Sequence, residues 1–469
     1  MPDYQQIKAE LDGITVDDNP NMVLRKSRDF YWYSPILKEQ LEQVTGDLVV
    51  SPKSEEEVIR VLKTAFRHDA PVTARGGGTG NYGQCMPLSG GIVLDMTKMN
   101  AIKEVHTGRV VAEAGIICAR LDKQLKEETG QELRFHPSTT SSATLGGFVA
   151  GGSGGVGSIT WGGLRDLGNV LKLRIVTMEA EPRVMELTAR DLMKVSHAYG
   201  TNGIITEVEM PLAPAYDWVD VIVGHDTFMD AVRFSDALAA SNGILTKEIA
   251  PIAAPVPHAF FSRHQPYLKE NEAVSVVMVA PHAMAPFEAL VKLHKGEIRF
   301  RADEAESLRG MPRAYELAWN HTTLRALKKQ PGSFTYLQVQ YPGPDHVAKV
   351  EKMCEIFGDE VIGHLEFMRF DGAIQCSGLP LVRYTTAERL EEIIRIHEEN
   401  GCPIFNPHRY TLEEGGMKQT DTLQLAFKKE TDPKGLLNPG KMIAWENPDF
   451  DFKAGRYFLF KGLAETEIG

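Results

Sequence analysis

The chain has 469 residues, of which 43% are hydrophobic and 24% charged, the make-up of a globular protein with room for two or three domains. A formal net charge of -12 excludes general binding to a nucleic-acid backbone, which needs a basic face. No apolar run of about 18 residues is present to span a bilayer, and the polar start MPDYQQIKAELDG lacks the basic and apolar stretches of a secretory signal, so the cytoplasm is the expected compartment.

Residues 1 to 42 read as an N-terminal arm in which Phe30, Tyr31, Trp32 and Tyr33 stand together. Such a cluster packs on a domain surface or lines a substrate pocket. The stretch DLVVSPKSEEEVIRVLKTAFRHDAPVTARGG then gives a strand, Ser54 as an N-cap followed by acids, an amphipathic helix and a second strand. This is a β-α-β unit. Its exit is the glycine run Gly76, Gly77 and Gly78, whose bare N–H groups suit an anion such as a pyrophosphate, although turns and bulges use the same residue. Pro87 and another strand, GIVLDM, follow where the dinucleotide fingerprint G-x-G-x-x-G would open a helix, which disfavours a nicotinamide fold.

A hairpin turning at Thr107-Gly108 and a helix from Ala119 to Gly130 lead to a second loop rich in glycine and hydroxyls, Pro137 to Gly157. Two such loops imply an extended ligand. Paired strands follow at Leu171 to Met178 and Arg183 to Leu187, then one more strand, and the region ends near Ala213-Pro214. From there to about residue 400 strands such as VSVVMVAP and TYLQVQYP alternate with helices, which suggests an α+β domain. The last segment returns to glycine and aromatic residues in CPIFNPHRYTLEEGG and KGLLNPGKM. The five cysteines, Cys85, Cys118, Cys354, Cys376 and Cys402, are scattered and form no C-x-x-C pair, so no disulfide framework or zinc ribbon is suggested.

Four motifs in order, Arg75-Gly-Gly-Gly-Thr-Gly, Pro137-Ser-Thr with Ala143-Thr-Leu-Gly-Gly, Gly200-Thr-Asn-Gly-Ile-Ile-Thr, and Asp432-Pro-Lys-Gly-Leu-Leu-Asn-Pro-Gly-Lys, resemble the vanillyl-alcohol oxidase/p-cresol methylhydroxylase flavoproteins, in their D-lactate dehydrogenase and glycolate oxidase-like branch. The resemblance implies an α+β fold: a bipartite FAD-binding domain over residues 43 to 214, an inserted α+β cap over 215 to 400 that holds the substrate, and a segment 401 to 469 returning to the flavin domain. FAD is the implied cofactor. Its pyrophosphate would lie on Arg75, Gly76, Gly77, Gly78, Thr79, Gly80 and Asn81. Pro137, Ser138, Thr139 and Thr144, with Gly146, Gly147, Ser153, Gly154, Gly157 and Ser158, would approach the ring and ribityl chain. Gly203, Ile204 and Ile205 would meet the adenine, and Asn438 and Lys441 complete the set. Thr79 stands where some relatives carry a flavin-linking histidine, so dissociable FAD is expected, with a histidyl bond at His136 left open.

With that cofactor, the reaction removes hydride from a carbon bearing a hydroxyl or amine while a protein group handles the proton. His408 and Tyr410 are the candidates for catalysis: in extended backbone they would share one face and offer a base and a phenolic donor, or else serve as surface strand tips. In the cap, Trp319-Asn320-His321 on a helix and Arg369 on a strand with Glu366 are further candidates, Arg369 as a carboxylate clamp or a surface ion pair. Arg263 and Arg383 have the same two readings. The histidines that hold a divalent metal in D-2-hydroxy-acid dehydrogenases are not matched, and Glu413-Glu414-Gly415-Gly416 stands where their Glu-His-Gly would fall, so no metal is expected.

The implied partners are a small hydroxylated substrate, a hydroxy acid or an alcohol, and an electron acceptor, namely oxygen, a quinone or an electron-transfer protein. A homodimer is carried as an expectation. A non-redox alternative, resembling alkylglycerone-phosphate synthase or a flavin-binding sensor, stays open because the synthase shares the H-x-Y pattern.

Overall fold

The computed structural model describes residues 2–152, 154–303, 310–416 and 421–450. The chain forms two compact units, one from Met1–Ser153, Leu164–Pro214 and His408–Gly469, the other from Gly154–Gly163 and Ala215–Pro407. Ser153 lies outside the described residues.

In the first unit Ser54 caps the helix Glu55–Arg67 by accepting the Glu57 N–H, with Glu55, Glu56 and Glu57 in the positive first turn. Val58, Val61, Leu62 and Ala65 recur at helical spacing and are fully buried against Val50, Val72 and Leu94. The strands Leu48–Ser51 and Val72–Arg75 flank this helix in sequence but do not pair with each other. Ile92–Asp95 lies between them, parallel to both, and Thr15–Asp17 adds an antiparallel edge. The insertion has a simple cause: Ile92, Val93 and Leu94 are apolar and all four positions are buried, Asp95 being paired with Lys26, which suits the centre of a sheet covered on both faces.

The second sheet of this unit is antiparallel, in the order Ile102–His106, Arg109–Glu113, Ile204–Pro214, Lys172–Val176, Val184–Thr188. Gly108, at φ 83, makes the hairpin turn, and Gly130, at φ 65, ends the helix Cys118–Thr129 in the left-handed conformation. One departure concerns the second glycine-rich stretch, which is not all loop. Residues Leu145–Gly151 are helical, capped by Thr144, and the lack of a side chain at Gly146 lets the helix lie on Ala114, whose Cβ would stand 2.5 Å from a Cβ at that position.

The second unit is built on a four-stranded antiparallel sheet, Thr246–Ile252, Ala273–Val279, Val219–His225 and Glu297–Ala302, with the helix Phe228–Ala240 packed on it. Its first three strands are buried at every position. Two three-stranded sheets complete it, one containing Leu381–Arg383 and the other Val339–Tyr341, Ala373–Gly378 and Leu365–Phe370. Gly154–Gly163 joins this unit through Gly157 N–H to the Lys247 carbonyl (2.7 Å) and Thr160 Oγ1 to the Thr246 carbonyl (2.7 Å).

The C-terminal segment is fastened into the first unit by a buried ion pair. Lys428 Nζ lies 2.8 Å from Asp432, and also donates to the Thr201 and Leu437 carbonyls. Asp432 in turn accepts the Leu436 and Leu437 N–H groups. Burial pushes the carboxyl up and the ammonium down, so neither charge is comfortable without the other. Asp432→Ala, which strands the ammonium, is expected to cost about 3 to 5 kcal/mol. Urea denaturation of the two proteins measures it, and a loss below about 1 kcal/mol would show that water reaches the lysine.

A candidate flavin site in the first unit

The loop from Arg75 to Gly80 is half-exposed and leaves its backbone N–H groups from Gly76 onward unmatched. Among the described residues, none of the N–H groups of Gly76, Gly77, Gly78, Thr79 and Gly80 donates a hydrogen bond within the chain. Five consecutive free donors make a site for an anion. The missing side chains of the first two glycines serve a different purpose. A Cβ on Gly76 would overlap Thr144 Oγ1, and one on Gly77 would overlap the Ser142 carbonyl oxygen, so the two small-residue stretches meet in direct contact. Gly78, at φ 64, lies under the Arg75 guanidinium.

Behind this loop the unit is polar and dry. Asn438, left-handed at φ 43, donates from Nδ2 to the Gln84 carbonyl (2.9 Å) and the Tyr199 carbonyl (2.7 Å). Lys441, fully buried, donates to the Gly83 carbonyl at 2.6 Å, and its Nζ stands 5.2 Å from the centre of the Tyr410 ring. Arg75 Nη1 donates to the Arg28 carbonyl (2.7 Å), so this guanidinium is spent on the N-terminal arm as well as crossing its own loop. Arg75 Nε and Asn81 Nδ2 are buried with no hydrogen-bond acceptor. Asp29, also buried, has one oxygen accepting the Tyr31 N–H and the other without a partner.

The other expected cofactor residues of this unit fall on the same framework. The Thr139 carbonyl accepts the Ser142 and Ala143 N–H groups, folding Pro137, Ser138 and Thr139 into a turn that leads to Thr144. Gly147 is the residue whose N–H Thr144 caps. Gly203, at φ 144, precedes Ile204 and Ile205, which open a buried strand paired with Val176 and Ile175. His136 is buried with Nδ1 3.0 Å from the Pro137 carbonyl. Gly154, Gly157 and Ser158 belong to the other unit, where Ser158 Oγ closes a turn with the backbone of Gly155.

His408 and Tyr410 do not lie on a strand. Residues 405–412 run through bends and turns, so the alternation expected of extended backbone does not apply. His408 is fully buried with Nδ1 2.7 Å from Ser34 Oγ, the hydroxyl that also caps the helix Pro35–Leu41. Tyr410 is half-buried beside Gly83 and Lys441. Glu413 accepts the Ile443 and Ala444 N–H groups and Glu414 accepts the Thr411 hydroxyl, which turns the two carboxylates to separate structural tasks.

In the second unit, Arg369 donates to the Ile159 carbonyl (2.9 Å) and to Asn242 Oδ1 (2.6 Å). His321 lies in the first turn of the helix Asn320–Lys329, and burial, then the nearby Arg325, pulls its pKa down to about 4. Trp319 and Glu366, named from the sequence, come together with two residues that it did not single out, Glu248 and His364. Trp319 sits at φ 51 and ψ -149, a conformation costly for any residue with a side chain. It is held there by donating its backbone N–H to Glu366 (2.5 Å) and its indole N–H to Glu248 (2.8 Å). His364 Nε2 is 2.9 Å from Glu366. Burial, then the Glu366 charge, raises Glu248 well above the carboxylate range, and burial raises Glu366 to about 7, so both carboxyls hold their protons to higher pH than free ones.

The donor set of the first unit fits FAD: free N–H groups for a pyrophosphate, buried cations behind them, and polar atoms awaiting partners. Comparison with known proteins agrees. Residues 46–185 match an FAD binding domain family. The chain is 32% identical over 430 residues to the mitochondrial D-lactate dehydrogenase (cytochrome) of Arabidopsis thaliana, covering 85% of this chain and 73% of that one. The chain belongs to the FAD-linked oxidoreductases of the p-cresol methylhydroxylase type. Glycolate oxidase subunit GlcD of Bacillus subtilis is 28% identical over 442 residues, with 86% and 90% covered. An FAD-linked oxidoreductase of Mycobacterium tuberculosis is 32% identical over 227 residues, and there the match spans only 47% of the relative's length. A solved alkyldihydroxyacetonephosphate synthase superposes with TM-score 0.73 over 94% of this chain and 85% of that one, at 17% identity, a likeness of fold. Among the described residues no helix is long and apolar enough to cross a membrane.

The acid pair of the second unit gives a test of its own. Because Glu366 is raised in the folded state, its proton stabilises the fold below the unfolded value of 4.5, and that contribution is lost as pH rises through about 7. Glu366→Gln keeps an acceptor for the Trp319 N–H and removes the titration. Its unfolding midpoint should fall less than that of the natural protein between pH 5 and 8, measured by thermal denaturation across that range. Parallel curves would show that Glu366 is not raised in the folded protein.

Proposed function

We propose that this FAD-linked oxidoreductase oxidises a CH–OH group of a small hydroxylated molecule, a hydroxy acid or an alcohol, and passes the electrons to oxygen, a quinone or an electron-transfer protein. The reading rests on one observation above the others, the row of unmatched N–H groups from Gly76 to Gly80 set in a chain similar over 430 residues to a D-lactate dehydrogenase. Bound FAD supplies the acceptor for a hydride equivalent. The chain must then bind the coenzyme, orient the substrate and handle the hydroxyl proton.

The loop N–H groups receive the pyrophosphate, and Lys441, held on the Gly83 carbonyl, lends a positive charge behind them. For the proton we assign Tyr410, which keeps part of its side chain accessible beside the loop. His408 is sealed against Ser34 and fixes the turn that presents Tyr410. Arg369 and His321 are left to structural roles, since the guanidinium is occupied by Ile159 and Asn242 and the imidazole is kept neutral by burial. Thr79 stands at the site where a flavin-linking histidine would be, which supports a dissociable coenzyme.

Anaerobic mixing with a library of hydroxy acids and alcohols tests the whole reading: one of them should bleach the flavin band. Turnover without any change of oxidation state would instead favour a synthase-like reaction. Tyr410→Phe should bind FAD normally and slow bleaching by about 10²- to 10⁴-fold, the usual worth of a positioned acid or base; an unchanged rate would remove the assignment. Acid precipitation should leave FAD in the supernatant, whereas a yellow pellet would point to a covalent bond, with His136 the residue to map.

A further inference from the structure

The glycine loop is pinned at both ends of one short helix. At the start of the loop, Gly76 and Gly77 lie on Thr144 and Ser142, which lead into the helix Leu145–Gly151. At its far end the contact is made by a side chain. Gln84 Nε2 donates at 3.0 Å to the carbonyl of Gly151, the last residue of that helix, and Gln84 Oε1 stands 1.9 Å from where a Cβ of Gly80 would lie. The amide therefore fills the space that a side chain at Gly80 would need.

The backbone of Gln84 is fixed as firmly. Its carbonyl accepts from Asn438 Nδ2 at 2.9 Å, and the Gly83 carbonyl before it accepts from Lys441 Nζ at 2.6 Å, both donors being buried in the C-terminal return. The Met86 N–H closes the turn on Gly83 at 3.1 Å. The N-terminal arm meets the loop from another direction, where the Phe30 N–H donates to the Gly80 carbonyl at 2.7 Å. Gly80 is thus held by Phe30 and by Gln84. The loop has little slack between its pins, since an extended backbone from Gly76 to Gly80 spans at most about 14 Å and the helix is about 10 Å long.

We propose that Gln84 is a positioning residue for the cofactor: its amide ties the far end of the glycine loop to the end of the helix, and so holds the unmatched N–H groups between the pins in one arrangement for the pyrophosphate of FAD. This rests on the FAD reading given above. The N–H groups from Gly76 to Gly80 bond nothing in the chain, so the contacts at the ends of the loop set its shape. A loop ordered only by its ligand binds that ligand more weakly, by the entropy lost in ordering. A neutral amide suits the place. It adds no negative charge beside the phosphates, and its N–H finds one of the carbonyls that the last turn of a helix leaves without an intrahelical partner.

The test measures FAD dissociation from the full-length protein on dilution, by the fluorescence of released FAD. Gln84→Ala removes the amide and should raise the dissociation constant about tenfold, the worth of one hydrogen bond. Gly80→Ala should do the same by another route, since its Cβ would take the place of Gln84 Oε1 and push the amide off Gly151. It stands as a test even if Gln84→Ala fails to fold. The double variant should also bind about tenfold more weakly than the natural protein and no worse, because the second change removes a contact already gone. Losses that multiply to about a hundredfold would show two independent effects and overturn the tie, as would either single variant binding FAD as tightly as the natural protein. A natural protein that takes up no FAD sinks the functional reading instead.

Discussion

The first unit depends on the return of the chain's end to the back of its first glycine loop. Leu437 bridges Val72 in parallel, the Val72 N–H donates to Leu436, and the Asn438 N–H donates back to Val72. These bonds extend the parallel sheet by a partner almost four hundred residues away in sequence. Asn438 can hold its left-handed backbone because its short amide finds two carbonyls, Gln84 and Tyr199, on either side. Asp432 sets the turn before it, and Lys428 answers that carboxylate. Removing this return would expose the edge of Val72–Arg75 and the turn that follows the loop, the two supports on which the N–H row rests.

Glycine does two separate jobs around the loop. At Gly76 and Gly77 it permits a close approach of protein to protein, since Thr144 and the Ser142 carbonyl occupy the space a side chain would take. At Gly78 it permits the positive φ that turns the following N–H groups outward. The contact of the two stretches comes first: once Thr144 is seated on Gly76, the backbone beyond it has no strand or helix to pair with. Its donors are left for a ligand.

Much of this was legible because it is local. Ser54 with its following acids, the apolar spacing of Val58, Val61, Leu62 and Ala65, and the glycines at 108 and 130 each act within a few residues, and the elements they announce are present. The family is legible for a similar reason, since its motifs are contiguous. Non-local placement was not. Nothing in GIVLDM says that it inserts between the strands on either side of the first helix, and glycines at 146, 147 and 151 conceal a helix whose packing on Ala114 needs the first of them to be small. His408 and Tyr410 were read by the period of a strand, but the turns that carry them are set by Ser34 and by the carbonyl of Lys441, which accepts the Leu412 N–H. Asp29 stood unremarked before four aromatic residues.

Buried charge is what sequence reading misses most, because its sign of importance is environment rather than residue type. Asp29 and Glu248 look like any others among 63 acids, and Lys441 and Glu366 were singled out by motif and strand rather than by their burial. Each is nonetheless taken from water at a cost of several kcal/mol before its partners answer it. The two units answer differently. In the first, acid and base offset each other, and a net cation remains with Arg75 for an anionic ligand. In the second, two acids face each other and a proton must make up the difference, with the indole and backbone N–H groups of Trp319 as the remaining donors. Apolar side chains would pack as well in such places and cost less, except where, as at Lys428 and Asp432, the charges hold backbone carbonyl and N–H groups. That both units keep charges there, one beside unmatched backbone donors and one around a strained tryptophan, is the physical argument that these are places of function.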